Sequence, residues 1–305
     1  MYGVRCMKCS VIILNWNGAE LLKTYLPSVV KSIQSSAFSV QLIVADNGST
    51  DESLEVLKKE FPSVKTIVLD KNYGFAEGYN RAIAQVDDEY VVLLNSDVET
   101  PEGWLDPLLA YLDAHPDVAA VQPKIRSWRD RTYFEHAGAA GGFVNALGYP
   151  YCRGRVLSHV EEDKGQYDNI VNVDWTSGAC MCVRTKVYKE MGGLDAAFFA
   201  HMEEIDLCWR MRNKGWKLAC VPESEVYHLG GGSLSYDNPR KTYLNFRNNL
   251  VMIYKNSKYR WLVLSVRFFL DYAAALLFLV QGKQGSAKAV YEARRDYRDM
   301  RKNYK

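Results

Sequence analysis

The chain has 305 residues, of which 48% are hydrophobic and 24% charged, so it is long enough for one or two domains and too apolar for a disordered protein. Its formal net charge of +2 gives no electrostatic signature of nucleic-acid binding, and we expect no nucleic-acid partner. Seven cysteines without the spacing of a zinc site indicate free thiols in a reducing cytoplasm. The apolar run before Asn15 is too short for a signal peptide, which agrees with a cytoplasmic location.

Short apolar runs alternate with helical segments through the first hundred residues. The runs are SVIIL, QLIVA, TIVL and YVVLL, and after the first of them apolar residues recur at helical spacing from Leu21 to Ile33. Continuous apolar strands separated by helices are typical of βαβ units, in which a parallel sheet is covered on both faces. The sequence therefore predicts an α/β fold with a Rossmann-like, mostly parallel central sheet.

Each of these runs ends in polar residues. The first is followed by NWNG, the second by DNGS, the third by DKN and the fourth by NSD. Because ligands of an open α/β sheet bind beyond the carboxyl ends of its strands, the four clusters should line one crevice. The segment NWNGAE has one glycine where the dinucleotide fingerprint has three, which is evidence against a nicotinamide or flavin enzyme.

The second half of the chain is less regular. Residues 126–169 show no sustained period and predict loops or irregular strands over one face of the sheet. VDWTSGACMCVR predicts a strand, followed by a short helix ending near Gly192, a helix within MEEIDLCWRMRNKG and a further strand in WKLACV. His228 then precedes the segment GGGS, where a histidine could bind a metal or be structural.

The C-terminal part contains mainly apolar residues from Trp261 to Val280, long enough to span a bilayer. Arg267 and Asp271 interrupt them, and each would cost roughly 2.5 to 3.5 kcal/mol at the centre of a span, although their i,i+4 spacing lets them pair. The sequence favours an amphipathic helix on a membrane surface or a partner over a helix packed within the protein, and both over a span. Dimerisation through these helices is a further possibility, and the basic tail ARRDYRDMRK would attract anionic head groups.

Three acidic segments could carry chemistry or be structural. Asp97 could bind Mg²⁺ or Mn²⁺ together with substrate phosphates, or it could cap a helix that begins at Pro101. Asp46 could bind a nucleotide, or belong to the turn before the next helix. The acids of EEID could interact with a helix dipole, or supply a general base whose pKa is raised by burial and mutual repulsion.

Six segments occur in an order and spacing that resemble one family: DNGS, NYGFAEGYN, LLNSD, TSGACMCVR, EEIDLCWR and HLGGGS. They resemble the inverting, nucleotide-sugar-dependent glycosyltransferases of family 2, which have a GT-A fold, and particularly the bacterial rhamnosyltransferase-like branch that builds surface polysaccharides. The likeness covers residues 9 to about 255. It implies a GT-A domain over residues 1–255, with the nucleotide sugar on residues 9–125 and the acceptor on 126–255, and a C-terminal helical extension over 256–305.

The resemblance also implies roles for individual residues. Asp97 and His228 would hold the divalent metal, Mg²⁺ or Mn²⁺, and Asn95 stands where the family has the first aspartate of its Asp-x-Asp motif. Glu203 and Glu204 match the Glu-Asp pair whose second member is the catalytic base. The residues implied on the nucleotide-sugar side are Asn15, Asn17, Asp46, Asn47, Asn72, Gly74, Asn80, Asn95 and Ser96, and those on the acceptor side are Trp175, Ser177, Gly178 and Asp206.

The implied function is inverting transfer of a sugar to a lipid-linked or growing glycan, by an enzyme on the inner face of the cytoplasmic membrane. The donor would be dTDP-rhamnose, or otherwise a UDP- or GDP-sugar. One base and one metal suffice for this single displacement, because the nucleoside diphosphate departs without needing a proton. Two other classes of function remain. A sugar-nucleotide nucleotidyltransferase should have a basic glycine-rich loop, which NWNGAE lacks, and a non-catalytic binding protein would not need the acids around Glu204.

Overall fold

A computed structural model describes residues 8–136, 138–156, 159–230 and 238–304. Within these ranges the strands are β1 (Lys8–Asn15), β2 (Ser39–Asp46), β3 (Lys65–Val68), β4 (Tyr90–Asn95), β5 (Val98–Glu99), β6 (Val118–Ser127), β7 (Gly142–Val144), β8 (Pro150–Cys152), β9 (Arg155–Val156), β10 (His159–Val160), β11 (Val171–Asn172), β12 (Cys180–Arg184) and β13 (Lys217–His228). The helices are α1 (Ala19–Gln34), α2 (Ser53–Glu60), α3 (Gly74–Ile83), α4 (Leu105–Ala114), α5 (Thr185–Glu190), α6 (Glu203–Asn213), α7 (Pro239–Asn256), α8 (Arg260–Val280) and α9 (Gln284–Met300).

The central sheet has the order β11-β13-β6-β12-β4-β1-β2-β3, with β5 beside β13. Strands β4, β1, β2 and β3 are mutually parallel, as predicted for the first half of the chain. Side chains of β1 enter two different cores, because Ile12 packs on one face of the sheet while Val11 and Ile13 pack on the other. The sheet is therefore covered on both faces, which explains why its strands are continuous apolar runs.

The sheet contains less parallel pairing than the sequence predicted. Strand β12 lies antiparallel to both β4 and β6, and β11 and β5 are antiparallel to β13. The prediction of one strand over VDWTSGACMCVR was also wrong, because only Cys180–Arg184 of it forms a strand, β12, and the residues between β11 and β12 cross from beside β13 to beside β6. The helix expected from Pro101 begins later, at Leu105, after Gly103 turns the chain with a φ of 78°.

The helices α7, α8 and α9 pack on one another and on the rest of the molecule. The charged residues Arg267 and Asp271 in the middle of α8 point into this packing. Arg267 Nε lies 3.2 Å from Asp271 Oδ1, Arg267 Nη1 lies 2.5 Å from Asn249 Oδ1, and Arg294 of α9 donates to Asp271 Oδ2. The opposite face of α8 is apolar and exposed, with Phe269 at 73% and Val280 at 79% exposure. In the described part of the chain, α8 is the one helix long and apolar enough to cross a membrane, and 22% of its most apolar window is buried.

The end of the chain is tied to the residues that precede α6. The hydroxyl of Tyr304 donates to Asp195 at 2.7 Å, and Lys255 Nζ lies 2.6 Å from Asp195 and 2.9 Å from Asp206. Tyr304 therefore contacts the body of the molecule through a hydrogen bond, beside the ion pairs that Lys255 of α7 makes with Asp195 and Asp206.

Candidate active site

Polar residues from three neighbouring strands lie level with one another at one edge of the sheet. Asn15 at the end of β1 pairs in register with Asp46 at the end of β2, and Asn95 ends β4 beside Leu14. This arrangement follows from parallel pairing, which brings the carboxyl ends of successive strands to the same edge. The polar residues that end β1, β2 and β4 thus lie at one edge of the sheet, and ligand binding in a crevice there stays a prediction.

Asp46 organises the turn that follows β2. It is fully buried, it accepts hydrogen bonds from Asn15 Nδ2 at 3.1 Å and from the backbone N–H of Ser49 at 2.9 Å, and Ser49 Oγ in turn accepts from the backbone N–H of Asn17 at 2.9 Å. Asn17 has a φ of 49° and accepts from Thr50 N at 2.7 Å, which joins the two loops. The first two strand ends thus form one hydrogen-bonded unit, and nucleotide binding by its members stays a prediction.

A second unit joins the ends of β2 and β3 to α3. Asn47 donates to Asn72 Oδ1 at 3.1 Å and to the carbonyl of Gly74 at 3.0 Å, and Asn72 accepts from the backbone N–H of Gly74 at 2.8 Å. Asn80 lies further along α3, where its side chain donates to the carbonyl of Leu194 at 2.7 Å and accepts from Tyr188 at 2.7 Å. These bonds favour a structural role for Asn80 over the predicted contact with the nucleotide sugar.

Asp97 and His228 are adjacent in space. Strand β5 pairs with the end of β13, with His228 opposite Val98, and this pairing brings His228 Nε2 to 3.1 Å from Asp97 Oδ1. Asn95 Nδ2 lies 3.4 Å from the same ring nitrogen, and Ser96 is the half-buried residue between Asn95 and Asp97. Burial tends to raise the pKa of Asp97, but its contacts with His228 outweigh burial and hold that pKa below its usual range.

Asp97 and His228 offer donor types that suit a divalent cation. His228 Nε2 and Asp97 Oδ1 are 3.1 Å apart, a hydrogen-bond distance, so a cation held by both would take the place of the ring proton between them. In the described residues there is no group of three or more His, Cys, Asp or Glu side chains arranged for a metal. These two side chains would therefore hold a cation whose remaining ligands are water and substrate oxygens, as is common for Mg²⁺ beside phosphates.

Sequence reasoning missed Glu135. This buried acid lies with Oε2 3.4 Å from His228 Nδ1, on the side of the ring opposite Asp97. Burial lowers the pKa of His228, but the interactions with Asp97 and Glu135 outweigh it and raise that pKa to about 10. Glu135 also lines a cavity of about 430 Å³. The larger cavity of the described residues, about 530 Å³, lies near Lys8 and Ser39 at the opposite edge of the sheet. An acid in an irregular segment gave no local signal that it would meet His228.

Glu203 and Glu204 begin α6 and differ in their surroundings. Glu203 is only 4% exposed, whereas Glu204 is half-buried and lies against Gly178, where an added Cβ would be 3.7 Å from Glu204 Cγ. One carboxylate oxygen of each residue is buried and accepts no hydrogen bond from the residues that the structure describes. Burial raises the pKa of Glu204 to about 7, and burial with the charge of Glu204 raises the pKa of Glu203 well above its usual range.

The four residues predicted on the acceptor side occupy different places. Gly178 lies beside Glu204, Ser177 is buried with its backbone N–H donating to Gln122 at 2.9 Å, and Trp175 is buried with Nε1 donating to the carbonyl of Phe143 at 2.9 Å. Asp206 is fully buried on the opposite side of α6, where it accepts from Arg210, Lys255 and Asn256. Its contacts favour a structural role, because Asp206 lies two residues after Glu204, which places the two side chains on different faces of the helix.

The fold and the site define a class of protein. A mixed sheet with polar residues at one edge, an acid and a histidine beside them and a helix that begins with two acids agree with the GT-A glycosyltransferase class that the resemblance implies. Residues 8–261 match the family described as Glycosyltransferase like family 2. The chain belongs to this family, which confirms the resemblance.

The chain is similar to characterised members of this class. It is 28% identical over 243 residues to the N-acetylglucosaminyl-diphospho-decaprenol L-rhamnosyltransferase of Mycobacterium tuberculosis, covering 74% of this chain and 78% of that protein. It is 22% identical over 247 residues to the low-salt glycan biosynthesis hexosyltransferase Agl10 of Haloferax volcanii, covering 79% of this chain and 74% of that protein.

Solved structures share the fold at lower identity. A mannosyltransferase from Pyrobaculum calidifontis, in complex with GDP-Man and Mn²⁺, is 16% identical with a TM-score of 0.57 over 93% of this chain and 74% of its own. GalNAc-T7 with UDP, GalNAc and Mn²⁺ is 16% identical with a TM-score of 0.64, over 85% of this chain. This chain spans 50% of the length of GalNAc-T7. These likenesses confirm the GT-A fold.

Proposed function

We propose that this glycosyltransferase inverts the anomeric centre of a nucleotide sugar while transferring the sugar to a lipid-linked or growing glycan of a bacterial cell surface. The observation that carries the proposal is that two groups with complementary roles face the same edge of the sheet. One is the pair of Asp97 and His228, and the other is the Glu204 carboxylate beside Gly178, which has one buried oxygen without a hydrogen-bond partner among the described residues. An inverting displacement needs a base on one side of the anomeric carbon and charge stabilisation on the other.

Glu204 is the proposed base. Its raised pKa of about 7 places it where a carboxylate can both be ionised and accept a proton from a hydroxyl group as the new bond forms. Glu203 is buried more deeply behind it and is the less accessible of the two. Burial and the charge of Glu204 raise the pKa of Glu203 well above its usual range, so an ionised Glu204 favours a protonated Glu203.

Asp97 and His228 are the proposed ligands of Mg²⁺ or Mn²⁺. When bound, the cation would neutralise the charge that develops on the departing nucleoside diphosphate. The Mn²⁺ in the mannosyltransferase and GalNAc-T7 structures supports this assignment for the fold. Asn95, which lies beside the pair, is uncharged. Asp97 would therefore supply the negative charge that offsets the charge of the cation.

The donor is proposed to be dTDP-rhamnose, with UDP- and GDP-sugars as the alternatives. The likeness to an L-rhamnosyltransferase supports rhamnose. The nucleotide would lie along the two hydrogen-bonded units at the ends of β1, β2 and β3, which Asp46 and Asn47 organise. That relative's acceptor is named as an N-acetylglucosaminyl-diphospho-decaprenol, which supports a lipid-linked acceptor here.

The outer face of α8 is proposed to lie in the surface of the cytoplasmic membrane. Arg267 and Asp271 face inward, so membrane contact would not place their charges in the apolar layer. The exposed face of α8 carries large apolar side chains. Exposed apolar faces with flanking basic residues bind the interfacial region in proportion to their buried area and charge. A second copy of the chain is the other occupant that this face could accept.

A nucleotide-sugar panel tests the function. The wild type and Asp97→Ala would be heated with dTDP-rhamnose, UDP-glucose, UDP-N-acetylglucosamine or GDP-mannose, each with and without Mn²⁺. A ligand present at 100 times its Kd stabilises the native state by about 2.7 kcal/mol, so one donor with Mn²⁺ should raise the wild-type midpoint and leave Asp97→Ala unchanged. The stabilising donor is then assayed for transfer to a polyprenyl-diphosphate-linked N-acetylglucosamine. No stabilisation by any donor would refute the proposal.

Vesicle sedimentation tests the membrane surface. Phe269→Asp and Leu276→Asp should reduce co-sedimentation with vesicles of phosphatidylcholine and phosphatidylglycerol. Val68→Asp is the matched control, since Val68 is an exposed apolar residue outside α8. Equal sedimentation of all variants would contradict membrane binding through α8, and a dimer in solution that Phe269→Asp dissociates would assign the face to a second copy.

A further inference from the structure

The backbone immediately before Glu203 has an unusual conformation. Phe199, His201 and Met202 have φ values of 64°, 69° and 73°. Residues other than glycine rarely adopt these angles, and such strained conformations persist only where the surrounding structure holds them. Met202 is also the residue from which α6 begins, with no side-chain cap. The conformation of residues 198–202 therefore sets the direction in which α6 leaves, and with it the position of Glu204.

Asn248 contacts this segment from the middle of α7. Its side chain is fully buried, and Nδ2 lies 3.0, 2.9 and 2.8 Å from the carbonyl oxygens of Phe198, Ala200 and His201. The two N–H groups of the amide thus donate to three carbonyl oxygens. Its Oδ1 accepts from Arg247 Nε at 2.9 Å, which fixes the orientation of the amide. A left-handed segment cannot satisfy its carbonyls within a regular helix or strand, so the amide supplies the donors that it lacks.

The other side of the segment contacts the donor-side loops. The backbone N–H of Phe75 donates to the carbonyl of Phe199 at 3.1 Å. A Cβ added to Gly74 would lie 2.8 Å from the Phe199 ring, so the absence of a side chain permits the contact. Residues 198–202 are therefore held between α7 and the start of α3, next to the loop containing Asn72.

We propose that Asn248 is a positioning residue that fixes Glu204 through the backbone of residues 198–202. This inference rests on the proposed function for Glu204 as the base. Without the amide, the carbonyls of Ala200 and His201 lose their donor, whereas that of Phe198 keeps those of Arg247 and the Ala200 N–H. The strained segment can then relax, which shifts the first turn of α6. Asn248 acts through the backbone of residues 198–202. Its loss should therefore slow the chemical step by displacing Glu204, and leave donor binding nearly unchanged. A displacement of about 1 Å at a reacting group can lower the rate about 100-fold.

The test compares Asn248→Ala with Asn249→Ala. Asn249 is the next residue of α7, it is also buried, and it also donates to a loop carbonyl, that of Gly148 at 2.7 Å. It is therefore a matched control that leaves residues 198–202 untouched. Amide hydrogen exchange, followed by mass spectrometry in peptides covering residues 198–206, should become about tenfold faster in Asn248→Ala and stay near wild type in Asn249→Ala.

Kinetics measure the link to the chemistry. With dTDP-rhamnose and Mn²⁺, or with whichever panel donor the wild type uses, Asn248→Ala should lower kcat about 100-fold and change the donor KM by less than about threefold. Asn248→Leu, which keeps the volume and removes the donors, is the second variant should alanine fail to fold. Unchanged exchange in residues 198–206, or an equal loss of kcat in Asn249→Ala, would overturn the proposal.

The outcomes separate this inference from the proposed function. If the wild type uses no donor of the panel, the proposed function fails. The exchange comparison needs no substrate and still decides whether Asn248 holds the segment. If the wild type is active and Asn248→Ala exchanges faster without losing kcat, the segment is held by Asn248 but Glu204 does not depend on it, which overturns the positioning role alone.

Discussion

Replacement of Glu204 by glutamine keeps the shape of the side chain and removes the group that titrates. With a pKa of about 7, about one tenth of the Glu204 carboxyl groups are ionised at pH 6 and about nine tenths at pH 8. The wild-type kcat/KM should therefore rise about tenfold between these pH values. A general base contributes typically about 10² to 10⁴-fold, so Glu204→Gln should lose that much activity and the pH dependence with it.

The same carboxyl group links stability to pH. Its pKa in the folded protein lies above the ordinary glutamate value of 4.5, so the folded state holds the proton more tightly than the unfolded state. That contribution is fully present below pH 4.5 and is lost as the pH rises through about 7, a loss of roughly 3 kcal/mol at 1.36 kcal/mol for each tenfold change in affinity. Urea unfolding of the wild type and Glu204→Gln from pH 5 to 8 measures the difference.

Glu203→Gln is the matched comparison. Its carboxylate is more deeply buried, and it does not lie against Gly178. We expect Glu203→Gln to retain more activity than Glu204→Gln and to leave the acidic limb of the kcat/KM profile near its wild-type position, because burial, and not the charge of Glu203, raises the pKa of Glu204. A flat profile between pH 6 and 8, or a larger loss in Glu203→Gln than in Glu204→Gln, would refute the assignment of Glu204 as the base.

Two further predictions concern stability. Gly74→Ala should lower the free energy of unfolding more than Gly103→Ala, by about 1 to 3 kcal/mol, because both have a φ of 78° but only the first would place a Cβ against the Phe199 ring; urea unfolding of both would show it, and equal losses would contradict the contact. Asp271→Asn should cost about 3 to 5 kcal/mol because it leaves two buried guanidinium groups without their carboxylate, whereas Glu55→Gln, at an exposed ion pair, should cost less than about 1 kcal/mol in the same assay.

The sequence predicted the parts of the fold that local patterns determine. The apolar runs of β1 to β4 and the polar residues that end them are local, and parallel pairing then places Asn15, Asp46 and Asn95 together. Strand β12 is inserted antiparallel between β4 and β6. The sequence of residues 173–184 does not by itself show with which strands it pairs.

The sequence indicated which residues belong to the candidate site better than it indicated the contacts between them. Asp97 and His228 meet through the pairing of β5 with β13, a two-residue strand that no periodicity reveals. Glu135 was missed because its burial comes from packing against His228. Asp206 shares the acidic run of Glu203 and Glu204, but helical geometry turns it toward Lys255. A run of acidic residues in the sequence does not indicate which face of the helix each residue occupies.

The inward ion cluster of Arg267, Asp271 and Arg294 also constrains how α8 can meet a bilayer. To cross the hydrocarbon, α8 would have to leave α7 and α9. It would then carry Arg267 away from Asn249 and Asp271 away from Arg294. Under the proposed membrane binding, the cluster would keep α8 packed against α7 and α9 at the surface of the bilayer. Such binding would be an exchange between bound and free protein, so the bound fraction would follow the lipid composition of the leaflet and the ionic strength. Recruitment of the enzyme would then be reversible, which insertion of a spanning helix would not allow.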